Sequence, residues 1–114
     1  MEFEVLPDIN LGRTSFAAHY DFEDRYIYVV GGDNQDESKT DCEKFDVFNL
    51  KWTQMPPMNE PRANPGTFID SKKHYLYAFE GFQTKKEEHR QNTIMSFERL
   101  DLLNENKGWE LIEV

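Results

Sequence analysis

The 114 residues suffice for one small domain and fall short of two independent cores. Charged residues make up 31% and aromatics 14%, the composition of a folded soluble protein and not of a disordered tail. A formal net charge of −9 opposes binding to nucleic-acid phosphates or to an anionic membrane surface, and its spread along the chain reads mainly as solubility.

The opening residues Met1–Glu4 have neither the basic start nor the apolar core of a signal peptide. Phe3–Leu6 predicts a short strand ended by Pro7. Phe16–Tyr20 predicts the next strand. Tyr26–Val30, apolar or aromatic throughout, predicts a strand buried on both faces. Turn-forming residues fill Gly31–Thr40, within which Asp33–Glu37 lacks the glycine and glutamate positions of a helical calcium loop. Lys44–Phe48 predicts a third strand, with Phe45 and Val47 two apart on one side. Trp52–Met55 predicts a fourth, stopped by Pro56 and Pro57, which cannot donate to a ladder.

The pattern then returns. Thr67–Asp70, Tyr75–Phe79, Ile94–Leu100 and Trp109–Ile112 predict four more strands, the third carrying Met95 and Phe97 on one side. Lys85–Gln91 contains helix formers but is short, charged and without an apolar face, so it predicts a solvated loop. No apolar run approaches the roughly 18 residues of a membrane span. Cys42 is the only cysteine, which points to a reducing, cytoplasmic location and not to a disulfide framework.

Shifting the sequence by 49 positions lays Pro7 on Pro56, Asn10 on Asn59, Arg13 on Arg62, Asp21 on Asp70, Tyr26 on Tyr75, Tyr28 on Tyr77 and Gly32 on Gly81. Beyond the glycines, Glu43–Val47 falls on Glu98–Leu102 at an offset of 55, and Trp52 on Trp109 at 57. The second unit therefore carries six extra residues in one loop and two in the next, as surface-looped repeats tolerate.

The run Tyr26–Gly32, the acidic-aromatic strand after it, Trp52, Met55–Met58 and then Arg62 resemble the kelch repeat family. That resemblance implies an all-β chain: two four-stranded antiparallel blades of an incomplete β-propeller, plus one N-terminal outer strand. The implied division is residues 1–12 as outer strand and linker, 13–55 as the first repeat and 56–114 as the second. Two blades do not close a ring, so the resemblance implies further blades, either from a longer chain or from self-association. The fourth-strand Trp is expected beside the double glycine. Glu80 stands where the first unit has Gly31, and a reshaped end of the second strand is expected there.

Because strands alternate in direction, the second-to-third loops share a face with the blade-to-blade connections. That face is expected to gather Asp8, Asn10, Arg13, Asp33, Asn34, Asp36 and Glu37, and from the second unit Asn59, Glu60, Arg62, Lys85, Lys86 and Arg90. A protein or peptide partner is expected there, with ubiquitin-ligase adaptors, cytoskeletal proteins and ciliary assemblies as settings the resemblance implies. Arg13 and Arg62 have a second reading, as structural residues that bridge blades or cap turns, and the loop charges as plain solvation. His19, His74 and His89 share no metal-ligand spacing, no catalytic motif occurs, and no cofactor or catalysis is expected. The alternatives are a kelch-type enzyme, such as a sugar epimerase or copper oxidase, and an ordinary β-sandwich in which Trp52 and Trp109 are not equivalent.

Overall fold

The structure is a computed structural model, and it describes residues 16–112 other than 22–23, 34–36, 71, 73 and 86–89. The expected strand at Phe3–Leu6 lies outside the described residues. Among the described residues ten strands follow: β1 (Ala17–Asp21), β2 (Tyr26–Val30), β3 (Cys42–Asp46), β4 (Lys51–Met55), β5 (Gly66–Ile69), β6 (Tyr75–Phe79), β7 (Phe82–Lys85), β8 (Arg90–Thr93), β9 (Phe97–Asp101) and β10 (Glu110–Ile112). The only helical piece among the described residues is a 3₁₀ turn, Glu105–Lys107.

Two four-stranded antiparallel sheets form, β1-β2-β3-β4 and β5-β6-β9-β10, and β7 and β8 make a two-stranded ribbon. The aromatic and β-branched runs Tyr26–Val30 and Tyr75–Phe79 become the second strand of their sheets. The two sheets repeat one register. Tyr26 pairs with Asp46 and Tyr75 with Asp101; Ile27 pairs with Phe45 and Leu76 with Leu100. Phe45 pairs with Trp52, and carrying the β9–β10 register one step past Glu110 sets Trp109 opposite Leu100. The sandwich alternative, in which the two Trp are unrelated, is excluded by this equivalence.

Alternation along the strands sends Tyr26, Tyr28 and Val30 to the face shared by Cys42 and Met55. That face meets Leu76, Ala78 and Leu100 of the second sheet, and with Met58 and Trp109 they form the core, edged by Ile69 and Leu102. The first strands, β1 and β5, lie side by side where the sheets converge. At the outer side the Trp109 indole N–H donates to Pro56 O at 2.8 Å, and Lys44 Nζ meets Glu105 at 2.8 Å. The sheets are thus joined along their whole width.

Two short turns close the end away from the ribbon. Arg25 and Leu50 take positive φ there (61° and 55°), and their N–H groups return to Asp21 O and Asp46 O. The Arg25 guanidinium sits 4.1 Å over the Phe48 ring, tying the two turns together.

Three expectations are corrected. The third strand of the second unit is Phe97–Asp101 and not Ile94–Leu100; Met95 precedes it and is 68% exposed. Glu98, Leu100 and Leu102 face the core, whereas Phe97 shares the opposite face with Phe79. Of Lys85–Gln91, expected as a solvated loop, Lys85, Arg90 and Gln91 lie in the β7–β8 ribbon, paired from Phe82↔Thr93 to Lys85↔Arg90, and 86–89 lie outside the described residues. Glu80 does not reshape the end of β6: Glu80 and Gly81 keep φ of 57° and 97°, beside 68° and 112° at Gly31 and Gly32.

Candidate partner-binding face

The glycine pair at the end of β2 is where the connection between sheets crosses. A Cβ on Gly31 would lie 2.2 Å from Arg62 O, a backbone atom, so the space belongs to the chain entering the second sheet and not to the Trp that the sequence led us to expect there. Gly32 N–H donates to that carbonyl at 2.8 Å, and Arg62 N–H donates to Lys39 O at 3.0 Å. One residue therefore fixes the connection to the end of β2 and to the loop that follows it.

The Arg62 side chain fixes the other half. It is fully buried, and all five of its N–H donors are used. Nη1 donates to Ser96 O (2.8 Å) and Glu80 O (3.1 Å), and Nη2 to Ser96 Oγ (2.8 Å) and Glu98 Oε2 (3.0 Å). Nε donates to the same Glu98 oxygen at 3.2 Å. Glu98, equally buried on β9, also accepts Asn59 N–H at 2.7 Å and Glu60 N–H at 3.2 Å. Asn59 Nδ2 reaches on to Trp109 O at 2.9 Å. A buried ion pair is tolerated only when its remaining hydrogen-bonding groups are satisfied, and this one is. Arg62 and Asn59, expected among the partner-binding residues, are occupied in bracing the junction. Arg62 thus links the end of β2, through its main chain, to β9, through its side chain.

The loop of the first unit and the ribbon of the second interlock above this brace. Ala63 and Phe82 exchange backbone hydrogen bonds at 2.8 and 2.9 Å. Ser38 N–H donates to Thr84 O (3.1 Å), Thr84 N–H donates to Ser38 Oγ (2.8 Å), and the hydroxyl donates to Phe82 O (3.3 Å). Ser38 bridges back to Asp33, which pins the base of its own loop. Glu37 pairs with Lys39 at 3.6 Å. Three segments drawn from both repeats thus form one continuous surface.

Of the expected face, Asp33, Glu37, Glu60 and the backbone of Lys85 and Arg90 are brought to this end of the molecule. Asp8, Asn10, Arg13, Asn34, Asp36 and Lys86 lie outside the described residues. Sequence reasoning missed Ser38 and Glu98. Ser38 carried no signal, being one polar residue in a polar loop. Glu98 carried one: it is the partner of Glu43 under the 55-residue offset, and both are fully buried.

Elsewhere, Cys42 is buried, with its Sγ 3.5 Å from Thr40 O. His74 stacks on Tyr75, 4.3 Å between ring centres, and its Nε2 is 3.4 Å from Asp101. Among the described residues no group of three His, Cys, Asp or Glu is placed to hold a metal ion, and no helix is long and apolar enough to cross a membrane.

The profile of the Kelch motif family matches residues 24–59. The chain is similar to a kelch repeat-containing protein of Dictyostelium discoideum, 29% identical over 86% of this chain. It also resembles a RING finger domain and kelch repeat-containing protein of that organism, 34% identical over 54% of the chain. An F-box/kelch-repeat protein of Arabidopsis thaliana is 37% identical over 54%. The aligned stretches are 14%, 6% and 15% of those proteins' own lengths, so the likeness concerns the repeat and not a whole protein.

Proposed function

This chain belongs to the kelch-repeat family, and we propose that it works as part of a protein-interaction scaffold whose blades present a protein or peptide partner with their loop face. The observation that carries this reading is the interlocking of Ser38, Ala63 and the β7–β8 ribbon. Main-chain bonds hold loops of two blades in one fixed surface, and a surface ordered before binding loses less conformational freedom when a partner arrives. The ribbon is also the element in which the two otherwise equivalent units differ most. Selectivity on a shared fold resides in such inserted elements.

The partner is a polypeptide in this reading. Two relatives combine, as their names say, kelch repeats with a RING finger or an F-box, which supports an adaptor setting in which the repeats select what is brought in. The scaffold reading assigns no catalytic step.

The test is a reversal of three basic residues of the Lys85–Arg90 stretch. Lys85→Glu, Lys86→Glu and Arg90→Glu together are expected to weaken a partner recovered by affinity purification of the intact protein at least tenfold while leaving the far-ultraviolet circular dichroism spectrum unchanged. Partners retained at parental levels by the triple variant would remove the ribbon from the binding face.

A further inference from the structure

The core-facing side of the first sheet and the outward side of the second are equivalent surfaces. Tyr26, Tyr28 and Val30 of β2 correspond to Tyr75, Tyr77 and Phe79 of β6, and Cys42 corresponds to Phe97. The first surface is covered by the second sheet. Among the described residues nothing covers the other, which is a stacked aromatic sheet. Phe68 lies 4.5 Å from Tyr77, Phe79 5.3 Å from Phe97, and Arg99 4.0 Å over Tyr75. Internal equivalence therefore supplies the occupant of this face: a further four-stranded sheet of the same repeat. This step rests on the scaffold reading above.

That covering sheet cannot dock as the second docks on the first. At the first junction Arg62 O occupies the place where a Cβ on Gly31 would stand, 2.2 Å away. At the second, Glu80 has a Cβ there, on a backbone with nearly the same φ. A carbonyl in the equivalent position has to retreat by about 1 Å or more to reach ordinary contact distance. Two further features distinguish this end. Gly81 N–H, the counterpart of the Gly32 N–H that takes Arg62 O, meets no acceptor among the described residues. Glu80 is also exposed and anionic where Gly31 is buried and neutral.

We propose that the sheet covering Phe68, Tyr77, Phe79 and Phe97 enters along a displaced path and sets a basic side chain against the Glu80 carboxylate, in place of the backbone carbonyl that Gly31 admits. The bulk of Phe79 and Phe97, where the first junction has Val30 and Cys42, fits the wider spacing. Covering an anion without a cation is unfavourable, so the entering segment has to bring one.

The test is a structure of the intact protein purified from its own cells, with thermal unfolding of its Glu80→Gly and Glu80→Lys variants. The expected result is a Lys or Arg nitrogen within 4 Å of the Glu80 carboxylate and no backbone oxygen against its Cβ. Glu80→Lys is then expected to lower Tm by several degrees and Glu80→Gly to gain none. A carbonyl seated at residue 80 as Arg62 O is at Gly31, or a marked rise in Tm for Glu80→Gly with Glu80→Lys unchanged, would overturn the displaced junction alone. An aromatic face found bare to solvent would overturn the scaffold reading together with it.

Discussion

The fewest atoms with the largest consequence are at the blade junction. Glu98 satisfies the Asn59 and Glu60 N–H groups and the Arg62 guanidinium at once, so removing it strands several buried donors. Glu98→Ala is expected to cost about 3–5 kcal/mol in urea unfolding, as breaking one partner of a buried pair does. Replacing both charges with apolar residues would not restore stability, because the Asn59 and Glu60 amides would still lack an acceptor. Gly31→Ala is expected to be nearly as severe, at least about 3 kcal/mol, since its Cβ meets backbone and its φ is +68°. Glu80→Gly is expected to stay within about 1 kcal/mol of the parent in the same assay. Equal losses at residues 31 and 80 would mean that the two positions are not the distinct sites described above.

Acid stability has residue-level sources too. The Asn49 side chain, then the Asn49 and Phe48 backbone N–H groups, hold the Asp46 carboxyl below its ordinary 3.8. The Tyr75 and then the His74 N–H do the same for Asp70. Folded values below the unfolded one mean that these turns contribute stability above pH 3.8, lost as pH falls through the lower folded values. Asp46→Asn and Asp70→Asn are expected to flatten the fall in urea midpoint between about pH 5 and about pH 2.5. An unchanged slope in the double variant would place the acid sensitivity elsewhere.

Among the elements, the β7–β8 ribbon depends on contacts from other parts of the chain. It is two strands of mostly polar residues, and an isolated hairpin of that size is marginal in water. What holds it is the pairing of Phe82 with Ala63 and of Thr84 with Ser38. Ser38→Ala removes the acceptor of a partly buried N–H and is expected to cost about 1 kcal/mol. Amide hydrogen exchange should show it locally, as faster exchange at Thr84 with β2 and β6 unaffected. Uniform acceleration across both sheets would make Ser38 part of the global core instead.

This dependence also explains what the sequence disclosed. The second strands, Tyr26–Val30 and Tyr75–Phe79, were readable to the residue because their side chains are apolar in an unbroken run. The ribbon was not, since main-chain bonds to distant residues stabilise it and leave no periodicity in its side chains. The third strand of the second sheet misled for a related reason. Met95 and Phe97 alternate as a strand face would, yet the strand's position is set by Glu98 beneath Arg62 and by pairing with β6. The site followed the same rule: Arg62 was visible as a repeated arginine, while the four acceptor oxygens that decide its role are scattered over Glu80, Ser96 and Glu98.

For the whole molecule, two equivalent sheets share one core, and a second face of the same kind carries exposed aromatic surface, Phe68 being 44% exposed. Surface of this kind favours association. The central claim is the packing of one repeat on the next. Its most direct test is a nuclear Overhauser spectrum read at the Trp109 indole N–H. The repeat packing places that proton on Pro56, which directly follows the last strand of the first sheet, so a cross-peak to the Pro56 α-proton and slow exchange with solvent are expected. An indole proton that exchanges freely and shows contacts only within its own sheet would contradict it.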